Sequence, residues 1–333
     1  MTDSGSATQE SDILERLESV ILGEEPELTR LEVVERAGVS LEFADQLWRA
    51  LGFASPGNDE RVFNDADVRA LEILKALAKL GAVDSDNVAS LARSIGQSYA
   101  RLAEWQARMV SGLLERAGDD LDTSQLLKMA NDLLPLMSEM QTYVWRRHLA
   151  TAAGRMLAHP VATAKSSLIV GFADIVNYTS MSRRIDEPDL EELIEHFEAT
   201  TSAVVATHGG RVVKTIGDEI MFVTDLPTDG AKLALEIAAR SEDDSKMPRL
   251  RIGLAFGQVL SRLGDVYGPV VNMASRLTSV ARPGTVVVDR VLADELADDA
   301  EVKLRRMRRV TVRGYARLEP WVLRPSPPSE ETT

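Results

Sequence analysis

Arg211-Val-Val-Lys-Thr-Ile-Gly-Asp-Glu-Ile-Met-Phe-Val223 decides the fold class of this chain. Two apolar runs of strand length flank Gly217-Asp218, the pattern of a tight β-hairpin. Upstream, Ser167-Leu-Ile-Val-Gly-Phe-Ala-Asp174 reads as a buried strand that closes on an acid. An amphipathic helix is expected over 186–207, stopping at Gly209-Gly210. Downstream, the pattern predicts a helix over 230–240, a strand over 250–256, a short strand and a helix over 269–280. Further strand pieces are expected at 285–288, 309–312 and 321–323. The order is βαββαβ, which predicts an α+β, ferredoxin-like domain: a mainly antiparallel sheet with helices on one face.

The preceding half has a different period. From about Leu14 to Leu149 apolar residues recur at three and four positions, as in Leu71, Leu74, Leu77 and Ala78, which predicts an all-α domain. Gly38, Gly52, Gly81 and Gly118 divide it into short helices. A helix over 124–148 is apolar around too much of its circumference for a surface element, so it is expected to be buried or to face a partner. Pro135 should kink or break it. The resulting organisation is a helical domain over 1–150, a linker over 151–165, a second domain over 166–324 and a disordered tail over 325–333.

Composition narrows the function classes. The chain has 333 residues, 44% of them hydrophobic, and no cysteine. Disulfides and thiolate metal sites are therefore excluded, and a cytoplasmic setting is expected. No run approaches the length of a membrane span, and the polar, acidic N-terminus does not read as a signal peptide. A net charge of −14 argues against nucleic acid or an anionic membrane as the main partner.

The chemistry gathers around two acids at strand ends, Asp174 and Asp218. Hard cations such as Mg²⁺ bind through one or two carboxylates together with substrate phosphates. Two aspartates at neighbouring strand ends suit a two-metal nucleotide site. Lys214 lies four residues before Asp218. Further on, Gly264-Asp265-Val-Tyr-Gly-Pro-Val-Val-Asn272-Met-Ala-Ser-Arg276 puts an acid ahead of a helix that carries Asn272 and Arg276 one turn apart on one face. Each feature alone has an ordinary reading: a helix cap, a hairpin turn, a solvated strand lysine, a surface helix. Their joint order and spacing set them apart.

Together, Phe172-Ala-Asp174-Ile-Val, Lys214-Thr-Ile-Gly-Asp218-Glu and Asp265-x6-Asn272-x3-Arg276 resemble the catalytic domain of class III adenylyl cyclases, over about residues 166–323. The resemblance implies that Asp174 and Asp218, helped by the Ile175 carbonyl, bind two Mg²⁺ or Mn²⁺ ions per site. It implies that Lys214 and Asp265 select the adenine of ATP, and that Asn272 and Arg276 stabilise the transition state. It further implies a head-to-tail homodimer, with the metal aspartates of each site on one subunit and the other four residues on its partner. The polarity fits: adenine offers an acceptor at N1 and a donor at N6, matched by a lysine and a carboxylate, whereas guanine reverses both. Asn177-Tyr178-Thr179 stands where the family usually has Gly-Phe-Thr. Arg308, Arg309 and Arg313 are all candidates for a phosphate-binding residue near the C-terminus. Alternatives are a diguanylate or guanylyl cyclase, because Gly217-Asp218-Glu219 resembles the Gly-Gly-Asp-Glu-Phe hairpin, and a degenerate dimerisation module that senses nucleotide.

Leu28 to Trp48 reads as a helix-turn-helix with Gly38 at the turn. Its charge argues against DNA, since Met1 to Glu60 holds fourteen acids against four arginines, no footprint for phosphate. This half resembles the helical regulatory domain that precedes some soluble mycobacterial-type cyclases, which implies gating by pH and a fatty acid or lipid in an apolar pocket. His148 and His159 flank the expected linker and are candidate pH sensors.

Overall fold

The expected hairpin forms in the computed structural model, which describes residues 16–80, 85–117, 123–158, 165–312 and 315–327. Strand β1 (Lys165–Ile175) is followed by the short helix α7 (Tyr178–Met181) and by α8 (Glu187–Thr207), which Asp186 caps through the Asp189 N–H. The hairpin itself is β2 (Arg211–Ile216) and β3 (Glu219–Thr224). Gly217 has φ +64° and Asp218 does not share the positive sign, the pattern of a type II′ turn with glycine at its first central position. Next come α9 (Pro227–Asp243), β4 (Leu250–Arg262), β5 (Asp265–Tyr267) and α10 (Pro269–Val280).

The chain then adds β6 (Thr285–Val288), α11 (Arg290–Glu295), β7 (Val302–Arg306), β8 (Val310–Val312), β9 (Tyr315–Leu318) and β10 (Trp321–Pro325). The main sheet runs β2-β3-β1-β4-β6-β10-β7, with β5 hairpinned onto β4 and β8-β9 forming a separate pair. Its first four strands have the ferredoxin-like order. Among the described residues every strand pairing is antiparallel except β4 with β6.

Helices cover both faces, where one face was expected. Ile169, Ala173, Ile220 and Phe222 pack with Phe197 of α8 and Leu233 of α9. The opposite face, with Val170, Phe172, Met221 and Val223, packs against Ala274 and Leu277 of α10. Central strands buried on both sides read as continuous apolar runs without alternation, so the sequence hides the second layer. Gly253 lets α10 approach: a Cβ there would sit 2.2 Å from the Thr278 amide nitrogen. His196 Nε2 lies 2.7 Å from Asp244 Oδ2 and His208 Nε2 lies 2.8 Å from Glu236 Oε2, tying α8 to α9 and its C-terminal cap. These contacts hold both carboxyls below their ordinary range.

The chain divides into compact units at Ala158/His159. In the first, α1 (residues 16–22), α2 (Arg30–Ala37), α3 (Leu41–Leu51), α4 (Asp65–Lys79), α5 (Ser85–Ala117) and α6 (Thr123–Ala158) are all helical. The α2–α3 turn is the one expected, with Gly38 left-handed at φ +59°. Trp48 stacks on Phe63 at 4.7 Å within a core that includes Val33, Leu47 and Leu71.

Helix α6 departs from two expectations. It runs through Pro135 without a break, and it continues into the expected linker as far as Ala158. The Ala-rich stretch after Leu149 favours helix strongly enough to absorb Gly154. His148 therefore sits exposed within a helix, while His159 lies outside the described residues. The broad apolar surface of α6 helps to line a cavity of about 510 Å³ with Leu17, Ile21, Val110, Leu126, Leu133 and Met137. The expected tail also begins too early: Pro325 still pairs with Val302, and the Ser326 amide donates to the Glu301 carbonyl at 2.8 Å. No helix among the described residues is long and apolar enough to cross a membrane.

Candidate active site

Three strands bring charged side chains into one row. Asp174, next to last in β1, lies on the face that α10 covers, directly opposite Glu219 of β3 and Arg251 of β4. Side chains facing each other across antiparallel neighbours lie about 5 Å apart at Cβ. Asp218 joins the group at the hairpin turn, where its backbone carbonyl accepts from the Ile175 N–H at 3.0 Å. An Arg251 guanidinium nitrogen donates to Asp174 Oδ2.

The acids crowd one another. Burial raises the Asp174 carboxyl above its ordinary range; Arg251 pulls it down, and the Asp218 charge adds to the rise. Glu219 is pushed up to about 7 by burial and by the charges of Asp174 and Asp218. An all-oxygen cluster of this kind, short of positive charge, fits a hard divalent cation. Among the described residues no group of three or more His, Asp or Glu side chains is placed to hold a metal ion. Mg²⁺ is commonly bound through one or two carboxylates, with substrate oxygens and water completing its shell.

The second group lies at the β2 and β4–β5 edge. Lys214, opposite Met221 of β3, donates from Nζ to Asp265 Oδ2 at 2.6 Å. Burial works to raise the Asp265 carboxyl, but hydrogen bonds from Lys214 and the Val266 N–H outweigh it and hold the group below its ordinary range. Sequence separation of 51 residues is closed by the β4–β5 hairpin, which turns Asp265 back toward β2. On α10, Ala274 and Leu277 face the sheet; Asn272 is exposed and Arg276 half-buried. Neither of their side chains is hydrogen-bonded or ion-paired among the described residues. Lys214 and Asp174 lie on the same face of the sheet with β3 between them, and no bond links the two groups.

Asn177 adopts φ +59° as the cap of α7. That left-handed position suits glycine first and asparagine next, so the departure from Gly keeps the turn. Of the three C-terminal arginines, Arg309 is engaged by Glu319, Arg308 is exposed, and Arg313 lies outside the described residues. Arg251 and Glu219 were given no role from the sequence. The available signal was one charge in the apolar run Leu250-Arg-Ile-Gly-Leu-Ala-Phe256, but only the strand register shows that it faces Asp174.

Comparison with known proteins places these residues in context. Residues 161–325 match the adenylate and guanylate cyclase catalytic domain, and residues 5–151 match the adenylate cyclase regulatory domain. An adenylate cyclase of Glutamicibacter nicotianae is 37% identical, over 94% of this chain and 82% of its own length. One from Streptomyces coelicolor is 42% identical, over 84% of this chain and 74% of its own. A pH-sensitive adenylate cyclase of Mycobacterium tuberculosis is 28% identical, over 81% of this chain and 70% of its own. With its ferredoxin-like cyclase sheet and its helical N-terminal unit, this chain belongs to the adenylate cyclase family.

Proposed function

We propose that this chain is a cytoplasmic, homodimeric adenylate cyclase that converts ATP to 3′,5′-cyclic AMP and pyrophosphate. The observation that carries the proposal is the Lys214–Asp265 pair, joined at 2.6 Å on the same sheet as the Asp174, Asp218 and Glu219 cluster. Lys214 donates to adenine N1 and Asp265 accepts from the N6 amine. A guanine edge would leave both groups facing their own polarity and unpaired with the base. In the reaction the ribose 3′-oxygen forms a bond to the α-phosphorus, the bond to pyrophosphate breaks, and the 3′-hydroxyl proton passes to water. Asp174, Asp218 and the Ile175 carbonyl would hold two Mg²⁺ or Mn²⁺ ions, which would supply charge neutralisation and acidify that hydroxyl. Arg276 meets the charge growing on the α-phosphoryl oxygens, and Asn272, one turn earlier, orients the ribose.

The site is shared. One protomer contributes Asp174, Ile175 and Asp218, and its partner contributes Lys214, Asp265, Asn272 and Arg276. Purified full-length protein is expected to make cyclic AMP from Mn²⁺-ATP and little cyclic GMP from Mn²⁺-GTP. Asp174→Ala and Arg276→Ala should each be inactive, and their mixture should regain activity through one intact site per mixed dimer. Dimers that form without regaining turnover defeat the shared-site reading.

The division into a regulator over 1–150 and a catalytic unit over 166–324 is part of the proposal. The apolar cavity beside α6 supports a fatty acid as one effector, and the pH-sensitive relative supports pH as another. A His148→Ala/His159→Ala variant with an unchanged pH–activity profile removes those histidines as sensors.

A further inference from the structure

Arg251 is the single charged residue in an otherwise apolar stretch of β4, and the register sets it against Asp174. The pair is largely enclosed, with side chains 32% and 16% exposed for Arg251 and Asp174. The contact is also incomplete. Arginine–carboxylate pairs are frequently bidentate, with two parallel N–H donors, whereas here Arg251 Nε is buried and meets no acceptor among the described residues. A buried donor without a partner is costly, so the guanidinium is held beside Asp174 without being satisfied there.

We propose that Arg251 is a resident counter-cation of Asp174, which a divalent ion must displace, so that metal entry and release of the guanidinium are one event. The proposal rests on Asp174 being a metal ligand. A dication and a guanidinium sharing one carboxylate in a partly buried site repel each other strongly. The nucleotide-free enzyme therefore binds metal weakly. Once freed, the guanidinium leaves positive charge beside a site that receives a polyanion, so metal and nucleotide each favour the other's binding.

The test uses full-length, nucleotide-free protein and Mn²⁺ binding followed by electron paramagnetic resonance. Arg251→Gln should bind Mn²⁺ roughly tenfold tighter than the parent, and Arg251→Lys should stay near the parent. Unchanged or weaker binding by folded Arg251→Gln overturns the proposal. The parent protein gives an independent reading that needs no variant at position 251. Phenylglyoxal labelling of Arg251, followed by peptide mass spectrometry, should accelerate when Mn²⁺ is added, and equal or slower labelling also overturns it. Asp174→Asn separates the two layers of inference. If that variant binds Mn²⁺ like the parent, Asp174 is not a ligand and the metal-site reading fails. If it loses Mn²⁺ while Arg251→Gln gains nothing, only the counter-cation role fails.

Discussion

Asp289 shows how one buried acid sets a pH dependence away from the active site. It is 8% exposed and accepts from the Leu292 and Phe256 amides, capping α11 and tying it to β4. Burial outweighs these bonds and raises its carboxyl from 3.8 to about 6. A raised folded pKa favours the fold while the group is protonated. That contribution is fully present below pH 3.8 and is lost as pH climbs through 6. Asp289→Asn keeps an oxygen for the cap and removes the buried charge. Its stability relative to the parent should therefore rise between pH 4 and pH 7, by up to about 3 kcal/mol, measured by urea unfolding. At Asn177, glycine should be tolerated within a few tenths of a kcal/mol, whereas Asn177→Val should cost about 1–2 kcal/mol because a β-branched residue resists φ +59°. Lys214→Met should shrink the ratio of kcat/KM for ATP over GTP by at least about tenfold, since the donor to adenine N1 is gone.

Among the elements, α10 is the one whose position matters most to the proposed chemistry. It carries Asn272 and Arg276, and it reaches β4 only because Gly253 has no side chain. Gly253→Ala would drive a methyl group against the Thr278 amide and the Ala274 carbonyl. Overpacking of this kind costs about 1–3 kcal/mol, and displacement of the helix should lower turnover by at least about tenfold. Circular dichroism melts and initial rates on the same preparation check both outcomes. The sequence placed α10 at its observed bounds, because Gly268-Pro269 supplies a clear start and its apolar residues keep a helical period. It did not show α10 on a separate face, since strands covered on both sides carry no alternation to read. Strands β7 and β9 were also missed. The former holds Lys303, Arg305 and Arg306, charges that suit an exposed edge but obscure a strand pattern.

At the scale of the whole molecule, the proposed site requires two copies of the chain. Specific activity should therefore rise with protein concentration until the dimer is saturated, then level off. Parallel analytical ultracentrifugation should place the midpoint of association at the midpoint of activity. The acidic surplus bears on the same scale: with net charge −14, a substrate that is itself a polyanion must be received at a few placed cations. The helical half was legible as a class from its period, yet its longest helix was not, because a proline inside a helix reads as a break and the apolar period fades past Leu149 although its alanines still favour helix.

By itself the sequence determined the two-part organisation, the βαββαβ order, the hairpin at Gly217-Asp218 and the candidate residues around it. These depend on period, turn chemistry and spacing, all of which are local along the chain. Tertiary structure alone decided that Arg251 and Glu219 flank Asp174 and that Lys214 reaches Asp265. Those contacts come from strand register and a returning hairpin, which join residues 45 to 77 positions apart through pairings that no local pattern encodes.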